Sequence, residues 1–209
     1  FEVRHMGSKY PIFSFDFTGA KRGVLPASYD YLRLEGRMQY RLNLPPIGYS
    51  QLMLEGGKIF GKVPYLLLKL HEGNGTYFYD RYAFSCMNFY EFSSDAWISF
   101  FYEHHFNGFL LGRVPLLKKL NWREVFVFKG VYGTLSARND GSLPNTKAVM
   151  LFPVGMSSVE HPYLETGFGI ENIFRLLRVD CIWRLTHHRA VPGLSIPTFT
   201  VNFSLNLKF

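Results

Sequence analysis

The sequence predicts an all-β chain: an antiparallel transmembrane β-barrel of which about eight strands are present. Three features carry that prediction. They are long segments of period-two alternation, connections that alternate between long and short, and a near absence of helical spacing.

In chain order the first strand is Ile12 to Ala20, where Phe13, Phe15 and Phe17 oppose Ser14, Asp16 and Thr18. The second, Leu32 to Leu44, alternates without a break. Its even positions are Leu32, Leu34, Gly36, Met38, Tyr40, Leu42 and Leu44, and its odd positions are Arg33, Glu35, Arg37, Gln39, Arg41 and Asn43. Side chains of a strand alternate between faces, so this segment has one apolar face and one polar, basic face. Weaker forms of the pattern mark strands at Tyr49 to Phe60, Ala96 to His105, Arg123 to Leu135, Tyr163 to Asn172 and Leu177 to Thr186. The eighth strand repeats it over the last twelve residues. Phe199, Val201, Phe203, Leu205, Leu207 and Phe209 lie on one side, with Thr198, Thr200, Asn202, Ser204, Asn206 and Lys208 on the other.

The connections at 21–30, 61–95, 136–162 and 187–197 are long, those at 45–48 and 173–176 are tight, and that at 106–122 is of medium length. Every second connection is therefore the shorter one, and all tight turns fall at one end. Bacterial outer-membrane barrels have this polarity, with short periplasmic turns and longer external loops. The strand lengths also fit the roughly 9 to 11 residues that a barrel strand tilted by about 45° needs to cross the bilayer. A soluble barrel or sandwich would share the alternation but turn its apolar face inward. Strand length, loop asymmetry and an alternation that runs to Phe209 favour lipid. In that setting Arg33, Arg37 and Arg41 line the lumen, and 61–95 and 136–162 are long external loops.

Composition narrows the alternatives. With 47% hydrophobic and 19% charged residues the 209-residue chain is too apolar to be disordered, and two cysteines, Cys86 and Cys181, make neither a disulfide scaffold nor a cysteine-rich zinc site. No apolar stretch reaches the roughly 18 residues of a membrane helix. The net charge of +7 is spread along the chain rather than gathered into a basic run with stacking aromatics, so nucleic acid is not an expected partner. The start at Phe1, without an initiator Met, reads as a processed form or a fragment, a single barrel domain over 1–209.

The last strand, Thr198 to Phe209, resembles the C-terminal targeting signal of outer-membrane proteins. Further phrases are Gly61-Lys62-Val63-Pro64-Tyr65, Phe92-Ser93-Ser94-Asp95, Glu103-His104-His105-Phe106-Asn107-Gly108, Val114-Pro115-Leu116-Leu117-Lys118-Lys119-Leu120 and Gly167-Phe168-Gly169-Ile170-Glu171-Asn172-Ile173. Through them nearly the whole chain resembles a family of uncharacterised barrel proteins, common in Bacteroidetes, that carry a carboxypeptidase-like regulatory domain upstream. More distantly it resembles the C-terminal half of the sixteen-stranded surface-antigen barrels of outer-membrane assembly and two-partner secretion. The resemblance implies the outer membrane of a Gram-negative bacterium, with lipid bilayer, lipopolysaccharide, the assembly machinery and other outer-membrane proteins as partners. In that superfamily a long loop enters the lumen and presents an Arg-Gly-aromatic tip to an Asp in a strand motif Phe-x-Asp-x-Gly. Here the loop offers Asp80-Arg81-Tyr82 without the Gly, and Phe126-Val127-Phe128-Lys129-Gly130 has Phe128 where the Asp should be. Arg81 and Tyr82 are therefore a candidate loop site; either Arg81 finds another partner or, as expected here, the loop is an external docking surface.

Catalysis is not expected. His104 and His105 are adjacent on a strand and point to opposite faces, so they cannot share a metal ion unaided, and both read as surface or interface residues. His187 and His188 fall at the mouth of a long connection. Ser99, Glu103 and His105 share a parity, which keeps a barrel enzyme as a third reading. Gly167-Phe168-Gly169 lacks the third Gly and the following helix of a nucleotide loop. No catalytic residue, metal site or cofactor is assigned. Phe106 to Leu120 combines apolar residues with Arg113, Lys118 and Lys119, as an amphipathic turn at the inner membrane interface or a plain loop would. The functional expectation is a structural or scaffold barrel acting through external loops and partners; the alternative is a surface-antigen-type barrel for assembly or translocation.

Overall fold

The computed structural model describes residues 10–23, 28–142, 148–159, 161–188 and 195–205. Its strands are β1 (Ile12–Ala20), β2 (Tyr31–Asn43), β3 (Tyr49–Gly61), β4 (Lys69–Leu70), β5 (Phe92–Ser94), β6 (Ala96–His105), β7 (Arg123–Thr134), β8 (Ser157–Ser158), β9 (Tyr163–Ile173), β10 (Leu177–Arg184) and β11 (Phe199–Leu205). The eight long strands coincide with the eight segments of alternation, to within a few residues at their ends. They pair antiparallel in the order β1-β2-β3-β6-β7-β9-β10-β11, while β4, β5 and β8 form a small separate sheet. The four-residue helix α1 (Pro115–Lys118) and a 3₁₀ turn at Leu111–Arg113 are what the apolar spacing of 106–120 produces, broken by Gly112 and Pro115.

The β2–β3 register runs unbroken from Tyr31 opposite Gly61 to Asn43 opposite Tyr49, so each face keeps its identity from strand to strand. Leu207 and Phe209 lie outside the described residues, and β11 accordingly ends at Leu205.

The sheet does not close into a barrel by itself. β1 and β11 are its two edges and do not pair with each other. The outer edge of β11 is met instead by the chain's own 62–91 segment. Phe203 donates its N–H to the Tyr77 carbonyl at 2.7 Å, and its carbonyl accepts from the Tyr79 N–H at 2.7 Å.

Polarity is inverted relative to a soluble sheet. One face carries Phe13, Phe15 and Phe17 of β1, exposed at 60%, 69% and 74%, and continues through Leu32, Phe60, Ile98, Tyr132, Phe168, Trp183, Phe199 and Phe203, all exposed. The other face carries most of the charges, exposed at Arg37 and Arg41 of β2 but buried toward its centre, where Glu103 and Lys129 are each 1% exposed. What covers them is the 62–91 segment, which folds back across this face. Between segment and sheet lies an apolar core of Met53, Phe84, Met87, Phe92, Phe101, Val131, Val159 and Tyr163, and a second group joins Ile59, Val63 and Leu68 to Trp97. The 61–95 connection, expected to project as a docking surface, thus packs across the polar face, where Phe84, Met87 and Phe92 bury against Met53, Phe101, Val131 and Tyr163.

Candidate functional site

The polar face grips the folded-back segment through charged side chains from four strands. Parity places each of them: Glu103 on β6, Lys129 on β7, Glu165 on β9, and Arg178, Asp180 and Arg184 on β10 all point to the covered side.

Glu103 is the centre. It pairs with Arg81 of the segment at 2.6 Å and with Arg178 at 3.1 Å, and it accepts a short hydrogen bond from the Tyr79 hydroxyl. Arg178 also pairs with Asp180 at 2.8 Å and lies 4.4 Å from the centre of the Tyr79 ring. Gly169, opposite Asp180, leaves the room this carboxylate needs, since a Cβ there would collide with it. The buried ammonium of Lys129 donates to the carbonyls of Asp80 at 2.7 Å and Ala83 at 2.6 Å. Glu165 receives the N–H groups of Ser85 at 2.8 Å and Cys86 at 2.7 Å, and Arg184 donates to the Cys86 carbonyl at 3.1 Å while pairing with Glu91 at 2.6 Å. Arg81, Lys129, Arg178 and Arg184 are thus set against Glu91, Glu103, Glu165 and Asp180. Buried charges are tolerated only when paired and hydrogen-bonded, and here the backbone of the segment supplies the bonds that the side chains leave open.

The segment's own groups feel this burial. The Cys86 thiol, enclosed beside Glu165, is pushed up to about 12. His71 bonds Ser94 Oγ at 2.9 Å, and burial together with nearby Lys69 holds it down at about 3.

The three arginines of β2 lie on the same face, away from the centre. Arg37 pairs with Glu55 at 2.7 Å, Arg33 pairs with Glu35 at 2.7 Å, and Arg41 stacks on Tyr49 at 4.0 Å. Glu55 also meets Lys69 at 2.6 Å. A cavity of about 350 Å³ between Arg37, Glu55, His71, Asp80, Tyr82 and Phe101 separates this row from the Glu103 centre. Tyr82 meets Phe101 edge-on.

Phe128, the residue at the position of the expected aspartate, lies on the apolar face beside Tyr102 and Thr166 and never approaches Arg81. The carboxylate comes from Glu103, one strand away. Ser99, Glu103 and His105 do share the covered face, but Ser99 and His105 are six residues apart on one strand, about 20 Å, so they form no dyad. His104 and His105 point to opposite faces as expected. Both are buried rather than at the surface: His104 bonds Ser50 at 2.8 Å, and His105 bonds Glu171 at 3.1 Å. Among the described residues there is no cluster of acidic, His or Cys side chains that could hold a metal ion. Cys86 and Cys181 are free thiols.

Lys129, Glu165, Arg178 and Arg184 were not singled out from the sequence. Each sits on the polar parity of a strand whose other side is apolar, and that parity was the available signal.

Residues 3–137, more than half of the chain, match the C-terminal domain of a family of unknown function (DUF5686). No curated protein matches the chain.

Proposed function

The chain belongs to the DUF5686 family through that C-terminal domain, and we propose that it is the membrane-spanning part of a Gram-negative outer-membrane β-barrel whose lumen is filled by its own 62–91 segment. The observation that carries this reading is the inverted polarity of the sheet: bare aromatics on one face and buried ion pairs on the other. In lipid, each arginine of β2 on the wrong face would cost roughly 2 to 4 kcal/mol at the midplane, whereas the aromatic face gains by burial. The eight strands would then be half of a barrel of about sixteen, as in the surface-antigen superfamily, with a carboxypeptidase-like regulatory domain upstream.

A barrel plugged by a segment on an ion-pair latch suits regulated passage or assembly of other outer-membrane proteins, and this is the function we favour. The latch is built from charges that exchange water for partners, so its opening is an equilibrium that a substrate or partner can bias. The scaffold reading keeps the lipid bilayer, lipopolysaccharide and neighbouring barrel proteins as partners, but it loses the 61–95 connection as a docking surface.

The test is accessibility in a reconstituted bilayer. Spin labels at Leu34 and Arg37 should report a lipid-exposed and a lipid-shielded site respectively. A lipid-exposed label at position 37 would overturn the membrane assignment.

A further inference from the structure

At the tight-turn end of the sheet, remote from the ion-pair latch, the 106–122 connection and the β9–β10 turn enclose a groove of about 620 Å³. We propose that this groove binds the phosphate headgroup of an anionic glycerophospholipid in the leaflet that meets the tight turns, an inference that rests on the membrane reading above.

The lining is what a phosphate requires. Lys118, Arg123 and Arg175 border the groove together with the amides of Asn107, Asn121 and Asn172, and no carboxylate does. Asn172 donates to the Asn121 carbonyl at 2.8 Å, which ties the two walls together. The contrast with the latch is in charge balance. There Arg81, Arg178 and Arg184 are paired with carboxylates and Lys129 is held by two carbonyls; here Lys118 and Arg175 are exposed and make no ion pair among the described residues. Arg123 stands opposite Glu171 in the β7–β9 register and shares that carboxylate with His105, which leaves Lys118 and Arg175 as the groove's unmatched cations. Two exposed cations beside a third at a wall lined by no carboxylate favour an anion, and that wall offers nothing to receive a choline or ethanolamine cation.

The surroundings select a lipid rather than a free anion. Trp122 lines the groove, and Leu120, Phe174 and Leu176 around it are exposed, Phe174 at 86%. Aromatic and apolar groups beside exposed cations are the composition of a membrane–water interface. A headgroup held by Lys118 and Arg175 would let its acyl chains run over these residues.

The protein extended upstream by a further set of strands would be reconstituted in nanodiscs of phosphatidylglycerol and phosphatidylcholine in equal amounts, then extracted, and the lipid retained on it counted by mass spectrometry. Phosphatidylglycerol should be enriched. Lys118→Gln and Arg175→Gln should each lower the enrichment about fivefold, the effect of removing one basic residue near an anionic surface. Lys21→Gln, in the connection at the opposite end, should leave it unchanged. Equal retention of the two lipids by a protein whose Leu34 label is lipid-exposed overturns the site and spares the membrane reading; failure to insert overturns both. Loss caused equally by Lys21→Gln assigns the effect to diffuse charge. Displacement of the lipid by millimolar inorganic phosphate reassigns the groove to free phosphate.

Discussion

Arg81 of the folded-back segment and Glu103 of β6 are joined by an ion pair of 2.6 Å. The two ends of this pair differ in burial: the Arg81 side chain is 37% exposed and that of Glu103 is 2% exposed. Glu103 also holds Arg178 and Tyr79, so it is the shared partner and Arg81 a peripheral one. Breaking a buried pair from one side leaves an uncompensated charge and costs several kcal/mol, whereas a partly exposed pair contributes about 1 kcal/mol or less.

Glu103→Gln should therefore destabilise the covered face by about 3 kcal/mol, at the low end for a buried pair because Arg178 keeps Asp180. Arg81→Ala should cost about 1 kcal/mol or less. Limited proteolysis between residues 72 and 91 reads the opening directly, and denaturant midpoints give the free energies. Equal losses in the two variants would show that the latch is not organised around Glu103.

The eight long strands were legible because period-two alternation is a property of the strand itself, and 31–43 and 163–173 needed nothing from the rest of the chain. What faces what was legible only in part. Arg33, Arg37 and Arg41 sort to one face by parity, which also puts Glu35 beside Arg33 on the same strand, but the partners Glu55 and Tyr49 depend on register. The latch was the least legible. Arg81 was found through its resemblance to a loop tip, and its carboxylate was sought at Phe128 because the motif spacing pointed there. The pairing depends on how the 62–91 segment lies across β6, a tertiary relation that no local pattern encodes. Closure is not legible for the same reason: alternation describes a strand and says nothing about which strands meet at the edges.

Acid should loosen the segment through His71. An unfolded histidine titrates near 6.5, whereas His71 is held at about 3 by burial and by Lys69. Between those values the open form binds a proton that the closed form refuses, so stability is complete above the open-state value and falls as the pH drops. The loss is about 1.4 kcal/mol per pH unit. His71→Gln, which can still bond Ser94, should remove this part of the pH dependence. Proteolytic opening of 62–91 measured from pH 7 to pH 4 in both proteins checks it; parallel profiles would sink the assignment.

Cys86 offers a reporter of the same opening. The thiolate is the reactive form, and burial beside Glu165 pushes this thiol up to about 12. In the closed state Cys86 should resist iodoacetamide at pH 7.5 over hours, while denaturation restores ordinary reactivity. Glu103→Gln should speed alkylation roughly in proportion to the open population, a factor of about 100 for a 3 kcal/mol loss when opening is pre-equilibrated. Mass spectrometry separates Cys86 from Cys181, which lies on the apolar face. Rapid alkylation of Cys86 in the unaltered protein would contradict the buried placement.

The free edges bear on the membrane reading. Among the described residues β1 has β2 on one side and no strand on the other, and its Phe13, Phe15 and Phe17 are exposed. In hydrocarbon each unpaired backbone group costs several kcal/mol, so a membrane-embedded β1 must be paired. β11 is no direct partner, since Tyr77 and Tyr79 already occupy the backbone of Phe203 on its outer edge. The expected partner of β1 is a strand supplied from upstream of this chain, and closure on β11 then requires Tyr77 to Tyr79 to give way. Residues 1–209 refolded alone in detergent should accordingly yield heterogeneous, heat-insensitive species, and a protein extended upstream by a further set of strands should migrate as a heat-modifiable barrel. A monodisperse, heat-modifiable species from the 209 residues alone would mean that eight strands close by themselves.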